Sequence, residues 1–414
     1  MGDSSDQIRD GGAGRIFRRR VFYIPGYDPV HPRRYRELYR KEGAEQARIQ
    51  GYHLDLKPKS EKGSYGWQVT ADMYGRRAEA EVEVLVWSDI VKSSMKRGIL
   101  GTYLQLVRTA WAYLGSGALF RLMKLRGGPM VAALYPIIVL LLQLLAALVL
   151  GGSLGFLIGW LTHWAVGLVA GAGVAWAVLS VFKRHDNRIL AYYLMNDYAY
   201  SAQAGGANPP ELEARMAEFR LRIAAALAEE VDEVLVVGHS SGAHLAVSIL
   251  SDLIRQDLEH SGPGANRPAL ALLSLGQVVP MVSFLPEARR LRRDLAYLSA
   301  RDELTWVDVT APGDGCAFAL CDPVSVTGVA PVNKRWPLVL SAAFSQSLSP
   351  ERWEYLRRQY FRLHFQYLCA FDRPGHYDYF QITAGPITLG ARYAGRAPSK
   401  SRIETPLSRF RSVA

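Results

Sequence analysis

The stretch Asp232–Leu250, DEVLVVGHSSGAHLAVSIL, decides how the chain is read. Its first six residues, DEVLVV, form a short apolar run with the make-up of a buried strand. From Ser241 to Gln256 the pattern is that of a helix. Between the two stand Gly238, His239, Ser240, Ser241 and Gly242, with the spacing G-x-S-x-G. A strand running straight in and a helix running straight out predict a tight turn that lifts the Ser240 hydroxyl above the end of a sheet. Glycine is needed at 238 and 242 because a side chain would crowd that turn. The helix also points its amino end at the site, which favours developing negative charge there. Ser240 is the candidate nucleophile, and Gly238, His239 and Gly242 complete its turn.

Working outward, strand-like and helix-like runs alternate. RVFYI (20–24) reads as a buried strand ending at Pro25-Gly26, 33–49 as a helix, and EVEVLVW (81–87) as a strand. Beyond them, 210–230 reads as an amphipathic helix, 269–275 as a strand, 286–301 as a helix and LTWVDVT (304–310) as a strand. FRLHFQYL (361–368) alternates like a late strand. Such alternation predicts an α/β fold whose mostly parallel sheet is covered by helices.

One block breaks the pattern. From Gly127 to Phe182 there is no Asp, Glu, Lys or Arg. The run is too long for one spanning helix of about 20 residues. It divides at Gly151-Gly152-Ser153, giving helices over 130–150 and 154–182. Helices apolar all round have no place in a small soluble core, so a transmembrane hairpin is expected at 127–183. Lys124 and Arg126 precede it, and Lys183, Arg184 and Arg188 follow it. The positive-inside rule puts both flanks, and the domain they belong to, in the cytoplasm. In a bacterial source this would be the inner membrane. His163 falls inside the second helix, where a structural role is the simpler reading. Gly155/Gly159 and Gly167/Gly171 have GxxxG spacing, which leaves room for close helix contact and a homodimer.

The chain of 414 residues has a formal net charge of +11 and is 49% apolar. Between Ile90 and His185 there is not one acidic residue. The segment 96–126 mixes Leu, Trp, Tyr and Phe with Arg and Lys, the composition of a helix lying in a headgroup plane. Lipid contact accounts for the basic excess and nucleic acid is not needed. Cys316, Cys321 and Cys369 make neither a disulfide framework nor a CxxC metal pair, so no metal and no cofactor is expected. Residues 1–18 read as a disordered leader without a secretory signal, and 393–414 as a basic flexible tail. The α/β domain is then split into 19–95 and 184–392 around the interfacial segment and the hairpin.

The turn at Gly238–Gly242, in this strand and helix context, resembles the α/β-hydrolase superfamily, over roughly 20–87 and 190–390. The resemblance implies a triad in the order Ser, acid, His, and no cofactor. A serine hydroxyl needs a general base. Two histidines lie late enough, His364 and His376. The family places its base in a loop after the last strand, which favours His376, in RPGHY (373–377), over His364 inside the alternating run. The acid should follow the strand ending near Thr310, which ranks Asp314 ahead of Asp308 and Asp322. Oxyanion donors are expected at the amides of Ser241 and of Tyr27, with Gly26 next. Three functions fit: a membrane-anchored lipase or esterase acting on a hydrophobic acyl ester, an acyltransferase using the same triad, and a non-catalytic membrane scaffold.

Overall fold

A computed structural model describes residues 17–59, 64–258 and 267–414. Eight strands form one sheet: β1 (Phe17–Ile24), β2 (His53–Pro58), β3 (Gly66–Met73), β4 (Arg76–Val84), β5 (Glu233–His239), β6 (Ala269–Leu275), β7 (Leu304–Thr310) and β8 (Leu338–Ser341). Their order is β2-β3-β4-β1-β5-β6-β7-β8. From β4 to β8 every pair is parallel, whereas β3 runs antiparallel to both its neighbours. The protein is therefore α/β, with a mostly parallel mixed sheet flanked by helices.

The longer helices are α1 (Arg33–Gln50), α2 (Ile99–Gly115), α3 (Gly127–Leu161), α4 (Trp164–Arg184), α5 (Ala191–Ala202), α6 (Pro210–Ala226), α7 (Gly242–Leu253) and α8 (Arg289–Leu298). They explain why the central strands read as unbroken apolar runs. On β5, Leu235 and Val237 enter one core with Tyr39 and Phe380, while Val234 and Val236 enter the opposite core with Phe219 and Leu250. A strand covered on both faces needs apolar residues at every position.

Two helices are long and apolar enough to cross a membrane, α3 and α4. At 1.5 Å per residue α3 is about 52 Å long and α4 about 32 Å, against a hydrocarbon core of about 30 Å. The surplus of α3 is used inside the protein. Met130 and Ala133 join a core with Phe284 and Phe318, and Leu140 packs with Leu106 of α2 and Met195 of α5.

The break between α3 and α4 is at Thr162–His163, not at Gly151–Ser153. The glycines have another task. A Cβ on Gly155 would lie 2.7 Å from the Gly167 carbonyl oxygen, and one on Gly171 would lie 2.6 Å from that of Gly151. They let two helix backbones touch within this chain, the close helix contact that the GxxxG spacing leaves room for. His163 lies at the turn and caps α4, its Nδ1 accepting from the Ala165 amide at 3.2 Å.

Other expectations are also corrected. FRLHFQYL forms a helical turn at Tyr360–His364 and a 3-10 turn at Gln366–Leu368. Leu363 and Tyr367, four apart, share one core, as helical spacing requires. β1 begins at Phe17, inside the expected leader; residues 1–16 of that leader lie outside the described residues. The tail is docked rather than loose. The Ser399 amide donates to Val339 O at 2.9 Å, Ile403 bridges Cys321, and Ser408 is buried.

Replacing Gly155 by Leu should force α3 and α4 apart. The expected result is a loss of thermal stability in detergent on the order of 5 °C or more, with Gly152→Leu, where a side chain meets open space, within about 1 °C of the parent.

Candidate active site

β5 delivers the chain to Ser240, which holds φ at 56°, in the left-handed region that non-glycine residues avoid. The turn is clamped on all sides. The Ser240 amide donates to Leu275 O of β6 at 2.9 Å, and Ala243 N–H donates to Ser240 O at 3.1 Å. A Cβ on Gly238 would sit 2.7 Å from Ala243 Cα, and one on Gly242 would sit 2.8 Å from Pro25 O. Glycine at both positions is thus a packing requirement of the turn. Strain of this kind persists only where the surroundings over-determine it.

Above the turn lies a cavity of about 90 Å³ lined by Gly26, Tyr27, Asp197, Ser240, Cys316 and His364, among others. Asp314 stands behind it in the loop after β7. Its Oδ2 accepts from His364 Nδ1 at 2.8 Å and from the Tyr367 hydroxyl at 3.0 Å, while Oδ1 accepts from the Cys316 amide at 2.9 Å. Burial alone would raise this acid, but the His364 contact and those hydrogen bonds outweigh it and hold the carboxyl below its ordinary value. With Nδ1 committed to Asp314, Nε2 is the ring nitrogen left for a serine hydroxyl. His239 Nε2 donates to the His364 carbonyl at 3.0 Å and fixes the segment from below. Burial lowers the His239 ring to about 3, so it stays neutral.

The structure brings Ser240, His364 and Asp314 to one place and leaves His376 elsewhere. His376 is exposed and lines a different cavity, with Gln50, Tyr52 and Arg392. The histidine that meets the acid is the one set aside in the sequence as part of a strand. The acid loop itself is where it was expected. Asp308 lies in β7, bonded to Ser274 Oγ, and Asp322 caps the helical turn Pro323–Thr327 and pairs with Lys334. The Tyr27 amide is engaged as well. It donates to Ser241 Oγ at 2.8 Å, so the expected oxyanion donor there is corrected. Gly26, the neighbouring residue lining the cavity, and Ser241, at the amino end of α7, carry the remaining candidate amides.

Asp314, Cys316 and His364 also place one potential metal-ligand atom each within 4.8 Å of one another. Two of those groups are already bonded to each other, and burial keeps the Cys316 thiol protonated. No sequence signal marked Cys316 or Asp197 as lining the site. Comparison with protein-family models, with curated proteins and with solved structures returned no match.

Asp308 offers a pH test. Burial raises its carboxyl to about 8, so the folded protein keeps it protonated where the unfolded chain, with an ordinary value near 3.9, has lost the proton. The unfolded state then binds fewer protons, and this group makes stability fall as pH rises from about 4 to about 8. Asp308→Asn should flatten that fall. Its unfolding temperature relative to the parent should be higher at pH 8 than at pH 5.

Proposed function

We propose that this protein is a membrane-anchored serine hydrolase of the lipase or esterase type, built on an α/β-hydrolase-like frame. Ser240 attacks the carbonyl of an acyl ester. The observation that carries the reading is a serine held in a strained strand-to-helix turn, sharing one cavity with a histidine whose far nitrogen is fixed by a buried carboxylate. In this scheme His364 Nε2 takes the Ser240 proton as the acyl-enzyme bond forms and returns it to the departing alcohol. Asp314 stays ionised, holds the ring in place and stabilises the imidazolium. The Ser241 amide, at the amino end of α7, faces the developing oxyanion, with Gly26 supplying the second donor. Water, admitted once the alcohol leaves, releases the acid by the same route.

Support for a membrane setting comes from the hairpin and from α2. This helix turns Ile99, Leu106 and Tyr113 inward together with Thr102, Gln105 and Thr109, yet leaves Leu100, Leu104, Val107, Trp111 and Leu114 outward, with Leu100 and Trp111 each 77% exposed. The outer face of a soluble helix is polar. An outward apolar stripe beside two spanning-length helices fits contact with acyl chains. Exposed Lys96, Arg97, Arg108, Lys124, Arg184 and Arg188 fit anionic headgroups on one side, which is the cytoplasmic side by the positive-inside rule. The substrate class that follows is a hydrophobic acyl ester reached from that leaflet.

A fluorophosphonate probe tests the chemistry. The parent should label and Ser240→Ala should not. His364→Ala should slow labelling by about 1,000-fold, with His376→Ala within about threefold of the parent. Equal labelling of the parent and Ser240→Ala would falsify the proposal. The stripe is tested separately. Val107→Glu with Trp111→Glu should lower hydrolysis of a long-chain ester in anionic vesicles by about tenfold or more and leave a water-soluble short-chain ester unaffected.

A further inference from the structure

Asp197, on α5, lines the Ser240 cavity and also a second cavity of about 20 Å³. Tyr27 and Ser201 border both, so the two chambers are neighbours across these residues. No hydrogen bond to the half-buried Asp197 carboxyl occurs among the described residues. His244, on α7, also lines the small chamber, and its buried Nδ1 has no hydrogen-bond partner. A buried imidazole nitrogen without a partner is costly, and the Asp197 carboxyl beside it is open to whatever fills the space.

The rest of the wall is aromatic. Tyr27, Trp87 and Tyr200 surround the chamber with ring centroids 6.1 Å (Tyr27–Trp87), 5.5 Å (Tyr27–Tyr200) and 6.1 Å (Trp87–Tyr200) apart. The polar ends of two of them are occupied elsewhere: the Tyr27 hydroxyl is bonded to Ser94 and the Trp87 indole N–H donates to Pro25 O. Among the described residues no lysine or arginine lines either cavity. Aromatic rings, a carboxyl group and a free imidazole nitrogen, with no cation of the protein's own, suit a small positive guest.

We infer that the small chamber is a subsite for a primary ammonium group carried by the ester substrate, with Asp197 as its counter-charge and the His244 ring beside it. The inference rests on Ser240 being the nucleophile of the adjoining cavity. An ammonium offers three donors and no acceptor, which matches the groups left open. Burial lowers His244 to about 4, so its ring is neutral and able to accept. Burial raises Asp197 to about 7, with only His364 drawing it down, so a bound cation would keep it ionised. A space of about 20 Å³ takes one group the size of a water molecule, which admits –NH₃⁺ and excludes trimethylammonium. Esters bearing a free amine, such as 2-aminoethyl esters, are the substrate class selected, and anionic ones are disfavoured.

The test uses the full chain in detergent and three probes of graded chemistry: n-butylammonium, tetramethylammonium and n-butanol. Butylammonium should slow fluorophosphonate labelling of Ser240 saturably and raise the unfolding temperature, and the other two should do neither. In Asp197→Asn, compared with and without probe, the protection should weaken about tenfold or more. Equal effects of all three probes, equal protection in Asp197→Asn, or no effect of butylammonium on the parent would each overturn the subsite; in the last case the chamber holds water alone. The unfolding measurement needs no reactive serine. A chain that binds butylammonium but does not label therefore loses the hydrolase reading and keeps the ammonium site.

Discussion

A non-glycine residue in the left-handed region is the constraint around which the molecule is built. Ser240 stays there because three backbones converge on it: β5 from below, α7 leaving above, and the turn after β1 alongside. At 238 and 242 the approach is closer than a side chain permits, which is why both are glycine; at Gly26 it is tight, a Cβ lying 3.0 Å from Ser240 Cβ. Movement of β1 relative to β5 would release the turn. The buried pair of Arg19 and Glu233 opposes that movement, since Arg19 also donates to the carbonyls of Gly385 and Ile387 and Glu233 accepts from the Leu389 amide. The charges are buried but fully hydrogen-bonded, the condition under which a buried pair holds a unique geometry without an unsatisfied group.

The apolar hairpin is part of this construction. The foot of α3 reaches the loop that carries Asp314, where a Cβ on Gly128 would come within 3.1 Å of Gly315 Cα. The next residue, Pro129, lines the Ser240 cavity. α5, which follows the hairpin, closes the opposite wall with Tyr193, Leu194 and Asp197. Both ends of the insertion therefore form walls of the same cavity. The α/β sheet positions Ser240, Asp314 and His364, and the inserted segment supplies part of the wall of the cavity above Ser240.

What could be read in advance followed from how local the signal was. The turn at Ser240 is written in five consecutive residues with a strand on one side and a helix on the other. The hairpin is written in composition. Asp314 followed from the end of β7. His364 was misread because eight residues do not separate a period of two from a period of 3.6. Phe361, Leu363, Phe365 and Tyr367 alternate, yet Leu363 and Tyr367 are also one helical turn apart. Gly151-Gly152 was read as a chain break, whereas Gly151, like Gly155 of the GxxxG pair, marks where two helices touch; a glycine pair signals either, and only the partner helix decides. β8 is four residues long and leaves almost no pattern. The Tyr27 amide was taken as free because nothing in the sequence shows that the Ser241 hydroxyl turns back to accept it.

The docked tail has a consequence for the order of events during synthesis. Ile403 N–H donates to Leu320 O and its carbonyl accepts from Asp322, so residues 399–408 brace the far end of the loop that holds Asp314. Ser240, Asp314, His364 and this brace all lie after the hairpin in the chain. A nascent polypeptide emerges from its amino end and folds as it emerges. The hairpin at 127–184 is made before Ser240, Asp314 and His364, and the brace is made after all of them. Under the proposed function, the hairpin would reach its bilayer before the Ser240 cavity is complete, and the lipid that receives it would be the first surface the newly formed cavity meets.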